Sequence, residues 1–416
     1  MNKKIAFIVN EFPAISETFV LNQIILCIHE GFDVTIVTRS KGDLNRIQFQ
    51  VKDYSLLEKT IFIPPVPKNI IQRFGFILKS YYRIKSFDYY CNSLKLFNFV
   101  KFGYHSLTLY IQYNFIYLYM IKDVDIIHAH FGHSGKFINL YKRLRLFKDI
   151  PVIVSFHGVD LSPNNLNIYK KQYKSIFNHS SHFIVNNSYS QFLLRQINSS
   201  IHQPVSILPV GVDVSFFRPN KKNKSENSSV NIIFCGRLIS LKGPIYALQI
   251  FSKILNKTNV PLSLTIIGAG SLLQEVEEFI KYKGISKFVT LVGSISHDEI
   301  VKYYKEADIF IYTGISDPLT SRQEVQGLVI QEAQSMELPV VCFDVGGVKY
   351  GLIHQLTGFL VEEKNIGKFN EVLLKLINNN ELRKEMGKSA RKFIVENFNQ
   401  SKLNNELLRI YFKYIS

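Results

Sequence analysis

Two carboxylates eight residues apart, Glu324 and Glu332, frame the start of the segment EVQGLVIQEAQSMELPVVCFDVGG, with Gly327 between them. Carboxylates accept hydrogen bonds from hydroxyl groups, which an apolar pocket cannot do. The run LVIQEAQSM, residues 328–336, predicts a short helix, which puts Gly327 at a helix start. A glycine there lets sugar and phosphate approach the backbone, and the helix N-terminus favours their negative charge. Pro339 leads into the apolar strand VVCF, which ends at Asp344 and the pair Gly346–Gly347. This chemistry suits a polyhydroxylated, phosphorylated ligand such as a nucleotide sugar. The plain alternative is two solvated charges on a helix face.

A second group lies about ninety residues upstream, in FCGRLISLKG (234–243). The strand ends at Gly236, and Arg237 and Lys242 stand on the loop that follows. At the C-terminal edge of a parallel strand they would point into the crevice where such sheets bind ligands. A guanidinium fork beside an ammonium point charge suits a diphosphate, although fifty Lys and Arg residues also make two solvated cations unremarkable company. In IIGAGSLLQEV, Gly268 and Gly270 follow a strand and precede a helix, without the third glycine of a dinucleotide fingerprint. Near the N-terminus, DIIHAHFGHSG carries His128, His130 and His133, but no carboxylate completes a metal site. Ser16, Glu17 and Thr18 stand at a helix start, where Ser16 can cap and Glu17 suits the first turn.

Taken with the loop, helix, proline and paired glycines around them, Glu324 and Glu332 resemble the E-x7-E region of the retaining glycosyltransferases of family 4. Those enzymes have the GT-B fold, and the likeness is strongest to members that build capsule, lipopolysaccharide and exopolysaccharide. The resemblance implies that Arg237 and Lys242 hold the donor diphosphate and that Glu332 binds the ribose and Glu324 the sugar hydroxyls. It places Gly236, Gly268, Gly270, Val292, Gly293, Gly327, Leu328 and Val329 around the donor, with the backbone near Val292 and Gly293 at the nucleobase. The sequence HAHF puts His130 beside the donor sugar as a catalytic-site residue that positions rather than attacks. His157, Gly158 and Asp160 match the HG-x-D turn at the cleft, and with Ser16, Glu17 and Thr18 they fall on the acceptor side. Two departures stand out: Tyr350 replaces a glutamate common three positions after the paired glycines, and Gln326 replaces an aromatic. The implied reaction transfers a hexose from a nucleoside diphosphate sugar, a UDP-sugar first, to a glycan or polyprenyl-linked acceptor. Neither a metal nor any other cofactor is implied. A catalytically decayed partner of a polysaccharide-synthesis complex is the alternative, with Tyr350 as its hint.

These residues need scaffolding, and the chain supplies two series of it. Its 416 residues, 46% hydrophobic, suffice for two domains with separate cores. Apolar runs alternate with amphipathic helices, which predicts parallel sheets covered on both faces. The expected fold class is α/β with two Rossmann-like doubly wound domains. Residues 1–205 form the first domain and 206–229, containing the polar run KKNKSENSS, a linker. The second domain covers 230–399, and a helix over 400–416 can pack back on the first. Four scattered cysteines, Cys27, Cys91, Cys235 and Cys342, suggest neither zinc nor disulfides. No signal-peptide core or bilayer-length apolar stretch is present, so a reduced, cytoplasmic protein is expected.

Residues 70–122 are unusual in holding sixteen aromatics and seven Lys or Arg against one acid, Asp88. Such a mixture suits peripheral contact with the inner face of the cytoplasmic membrane. Ordinary helix packing explains it equally well. The formal charge of +17 also permits nucleic acid, a partner that nothing in the motifs supports.

Overall fold

The computed structural model describes residues 3–14, 17–44, 47–142, 147, 149–219 and 229–415. Its first sheet contains β1 (Lys4–Phe12), β2 (Asp33–Lys41), β3 (Thr60–Phe62), β4 (Ile126–His130), β5 (Val152–Phe156), β6 (His182–Val185) and β7 (Val205–Ile207). All pair in parallel, in the order β3-β2-β1-β4-β5-β6-β7. The second sheet has β8 (Val230–Cys235), β9 (Leu262–Ile267), β10 (Val289–Gly293), β11 (Ile309–Tyr312), β12 (Val340–Asp344) and β13 (Gly358–Glu362), ordered β10-β9-β8-β11-β12-β13. The central strands β4, β5 and β11 are buried along their whole length, as expected when helices cover both faces.

Strand order reverses between β1 and β4 in one sheet and between β8 and β11 in the other. Ligands of open α/β sheets bind beyond the strand ends at such switch points. The loop after β1 leads to Glu17, β4 ends at His130, and β8 runs into Gly236 and Arg237. The topology therefore gathers residues far apart in sequence at two facing switch points.

Two stretches differ from expectation. The edge strand Thr60–Phe62 carries too few residues to show a period. Between it and β4 lie five short helices, Ile70–Ile84, Phe87–Lys95, Phe99–Phe102, Tyr104–Leu107 and Tyr110–Tyr119. Their aromatics largely pack on the sheet: Tyr89, Phe102 and Phe115 join Ala6, Ile8 and Ile127 in one core. Helix Thr18–His29 begins after Glu17, whose side chain makes no capping bond, while Ser16 lies outside the described residues. Among the described residues no helix is long and apolar enough to cross a membrane.

The chain crosses between domains twice, and the crossings touch. Val212 N donates to the Phe398 carbonyl at 2.8 Å, and Gln400 N to the Val212 carbonyl at 3.0 Å. Helix Gln400–Phe412 then returns to the first domain, burying Leu407, Leu408 and Tyr411 against Phe7, Ile24, Ile126 and Ile153. Tyr411 Oη is 2.6 Å from His128 Nδ1, and Tyr414 Oη is 3.2 Å from His182 Nδ1. Each histidine uses its other nitrogen on a serine of the next strand, Ser155 at 2.7 Å and Ser206 at 2.8 Å.

Candidate active site

On the second domain, three loops fuse into one floor. Leu238 N donates to the Ala269 carbonyl, Leu272 N to the Leu238 carbonyl and Gly268 N to the Gly293 carbonyl, all at 2.9 Å. A Cβ on Gly268 would lie 1.9 Å from the Gly236 carbonyl oxygen, and one on Gly270 would lie 2.4 Å from that of Leu238. Backbone packing beneath Arg237 by itself requires glycine at both positions. Arg237 itself is exposed. Gly293 has φ +80° and open space where a side chain would stand, beside half-buried Val292.

Lys242 reaches from this floor to Glu324, forming an ion pair with Oε2. Tyr312 Oη donates to the same oxygen at 2.6 Å. Burial pushes the Glu324 carboxyl up, but the Lys242 charge and the two hydrogen bonds outweigh it and hold the group below its ordinary range. Glu332 fares oppositely. It is 8% exposed, its carboxylate accepts from Tyr304 Oη at 3.3 Å, and burial raises it to about 7 against that bond. The paired carboxylates are thus one fixed anion and one group poised near neutrality. Gly327, at φ +71°, begins helix Leu328–Ser335, whose first-turn amides at Leu328 and Val329 lack intrahelical partners by geometry. Gly346 and Gly347 pack directly under the Glu324–Val325 backbone, and Gly347 N donates to the Glu324 carbonyl at 2.8 Å.

Across the cleft, His130 is fully buried against Phe7 and stacks on His157, with Nδ1 3.1 Å from His157 Nε2. Burial holds His130 and His157 far below the usual histidine range, so both are neutral. His130 Nε2 and His157 Nδ1 are buried and have no partner. A buried orphan nitrogen is costly and marks a place for an added hydroxyl or water. Sequence placed His130 beside a sugar, but here its ring is enclosed, with Phe19 above both histidines. Asp160 is not an open acceptor-side group. Its carboxylate accepts from Gly132 N at 2.7 Å, Gly158 N at 2.9 Å and His157 N at 3.0 Å, so it shapes the turn that carries His157. Glu17 is half-buried and raised to about 7 by burial and then by Glu11; Thr18 starts the helix beside it.

Several site residues gave no signal in sequence. The hydroxyls of Tyr304 and Tyr312 meet Glu332 and Glu324 only in three dimensions. Asn186, Asn187 and Tyr189, just beyond β6, hydrogen-bond to Gln326, Val325 and Gln323 of the second domain. Gly158 faces Val325 so closely that a Cβ would lie 2.0 Å from its Cγ2. Tyr350 lines a cavity of about 290 Å³ with Asn186, Gln326 and Phe393 behind this contact. A larger hollow of about 1050 Å³, near Asn256 and Arg383, contains none of the motif residues.

Residues 216–393 match the family of glycosyl transferases group 1, and residues 92–216 match glycosyltransferase family 4. The chain is a GT-B glycosyltransferase. Among its relatives is the amylovoran biosynthesis glycosyltransferase AmsK of Erwinia amylovora, 27% identical over 90% of each chain. WcaL of Escherichia coli K12, provisionally named a colanic acid biosynthesis glycosyltransferase, is 24% identical over 97% of this chain and 98% of its own. In fold, the glycosyltransferase is similar to Anabaena Alr3699/HepE, solved in complex with UDP, with a TM-score of 0.74 at 14% identity over 99% and 100% of the two chains. The group 1 match contains Arg237, Lys242, Glu324 and Glu332, so the glycosyltransferase carries its whole charged cluster within that segment.

Proposed function

We propose that this enzyme moves a hexose from a nucleoside diphosphate sugar, with a UDP-sugar the first candidate, to a glycan or polyprenyl-linked acceptor in exopolysaccharide synthesis, retaining the anomeric configuration. The cluster of Lys242, Glu324 and Tyr312 at the switch point of the second sheet carries this reading. As the bond from the anomeric carbon to the diphosphate breaks, negative charge grows on the leaving oxygens. Arg237 and Lys242 stabilise it there. Glu332 accepts from ribose hydroxyls and Glu324 from the sugar. His130, enclosed and neutral, positions the cleft wall through its contact with His157. Cationic side chains would do at the diphosphate the work that a metal ion does in other enzymes. The names of AmsK and WcaL support the polysaccharide context, and the UDP complex of the Anabaena protein supports the base.

Calorimetric titration with UDP-, GDP- and ADP-sugars in EDTA tests the donor site. Micromolar binding of one donor, lost in Arg237→Ala, is the expected result, and product NMR then reads the anomeric configuration. Absence of binding across the panel would overturn it. Binding without transfer to any acceptor would favour the decayed-partner reading, for which Tyr350 is the motivating residue.

Peripheral membrane contact belongs to the same proposal. Helix Ile70–Ile84 buries Ile77 and Ser80, yet Ile71, Phe74, Leu78 and Tyr82 form a second apolar stripe, each at least 51% exposed. Exposed Lys79 and Arg83 flank it on one side at helical spacing. An outward apolar stripe edged by cations fits an anionic bilayer surface. Vesicles containing phosphatidylglycerol should sediment the protein, those of phosphatidylcholine alone should not, and Phe74→Ser with Leu78→Ser should abolish the difference. Equal behaviour of the variant would sink the idea.

A further inference from the structure

The loop that presents Glu324 is held from both sides of the cleft. Its carboxylate engages Lys242 and Tyr312 of the second domain. Its neighbours engage the first. Tyr189 Oη donates to Gln323 Oε1 at 2.5 Å, and Asn187 Nδ2 donates to the Val325 carbonyl at 2.5 Å. Gln326 has the fullest set of contacts. Its Oε1 accepts from Asn186 Nδ2 at 3.1 Å and from Val210 N at 2.9 Å, while its Nε2 donates to the Val210 carbonyl at 2.7 Å. An amide that both accepts from and donates to one residue's backbone imitates a neighbouring strand, which neither a carboxylate nor an aliphatic chain can do at neutral pH. Gln326 is 6% exposed, so water does not replace these bonds.

Val210 lies on the first crossing between the domains. Two residues on, Val212 pairs with Phe398 and Gln400 of the second crossing, and a Cβ on Gly211 would lie 2.5 Å from the Gln400 Cα. Gln326 therefore grips the connection where both strands of the hinge run together. We propose that Gln326 is a positioning residue that couples the orientation of the two domains to the placement of Glu324. Rotation of the domains pulls residues 323–326 from Asn186, Asn187, Tyr189 and Val210, and Glu324 shifts with them. With the clamp closed, Glu324 stands fixed over the donor floor. The coupling concerns the donor site proposed above and rests on that reading for its kinetic consequence, but not for its structural one.

Gln326→Leu keeps the volume and leaves the Val210 N–H, the Val210 carbonyl and the Asn186 amide without their partner. Nucleotide affinity should hold, because Arg237 and Glu332 remain, while kcat should fall by roughly tenfold to hundredfold through misplacement. Amide hydrogen exchange over 323–327 should quicken, and small-angle scattering should report a more open particle. Gln326→Glu gives a sharper signature. Ionised, it presents an oxygen to the Val210 carbonyl; protonated, it regains a donor. Its kcat should rise as pH is lowered, on a limb absent from both the wild type and Gln326→Leu. Wild-type kcat, exchange and scattering in Gln326→Leu would overturn the coupling, as would a Gln326→Glu profile without the acid limb. If the wild type binds no nucleotide sugar, the donor reading fails instead, and exchange and scattering alone still decide the clamp.

Discussion

Lys242 and Glu324 are 15% and 16% exposed, so neither charge is fully solvated and each depends on the other. Removing one partner leaves a largely desolvated charge, which costs roughly 3 kcal/mol, whereas removing both costs less. Lys242→Ala should therefore lower the urea midpoint more than Lys242→Ala with Glu324→Gln, and both should abolish transfer. Equal destabilisation by the single and double variants would show the pair to be uncoupled. Glu332 supports a different expectation. Raised to about 7 by burial, it changes charge near neutral pH, and its ionised form is the better acceptor for ribose hydroxyls. Donor affinity should increase as pH rises through about 7, and Glu332→Gln should flatten that rise. A wild-type affinity independent of pH from 6 to 8 would remove Glu332 from the ribose. The contrast between the two glutamates arises from their neighbours. Lys242 and Tyr312 face one, and a neutral phenol, Tyr304, faces the other.

Elements that announce themselves by period were legible in the sequence, and contacts between elements were not. Strands such as Ile309–Tyr312 and the helix Leu328–Ser335 follow from apolar runs, glycine and proline placed nearby. Lys242 and the two glutamates were found by spacing because charge at a strand or helix end is conspicuous. Asn187 and Tyr189 were missed because their partners lie 138 and 134 residues away, and an asparagine at a strand end looks like any turn. At Gly268 and Gly270 sequence does not distinguish close approach of a substrate from close approach of another loop, and the structure adds the second. The C-terminal helix shows the same limit, since the His128–Tyr411 bond spans 283 residues. Tyr411→Phe keeps the ring packed but strips a buried imidazole nitrogen of its partner, a loss of about 1–3 kcal/mol. The thermal midpoint should fall by several degrees with no change in donor binding. An unchanged midpoint would mean that packing of Leu407 and Leu408 alone holds this helix to the first sheet.

For the molecule as a whole, buried titratable groups set how stability depends on pH. Burial lowers His128 and His157 to about 3 and His182 to about 4, from an ordinary value of 6.5, and pushes His130 down as well. A group whose folded value is depressed contributes stability that is complete above its unfolded value and is lost as pH falls towards the folded one. The histidine contribution should thus erode from pH 6.5 down through 4. Glu17 and Glu332, both raised to about 7 from 4.5, work the other way: their contribution is full below 4.5 and lost as pH rises through 7. Between 4.5 and 6.5 the two sets oppose. Burial raises Asp160 as well, so four histidines face three carboxyls. Below 4.5 the two glutamates have no more to add, and Glu324, held low against burial by Lys242, begins to lose its own contribution. Urea midpoints should therefore fall on acidification from pH 6.5, most steeply below 4.5. Glu332→Gln removes one opposing group and should steepen the fall between 6.5 and 4.5. A midpoint that held constant or rose from pH 6.5 to 4 would require the histidine cluster linking the C-terminal helix, the first sheet and the cleft to be open to water.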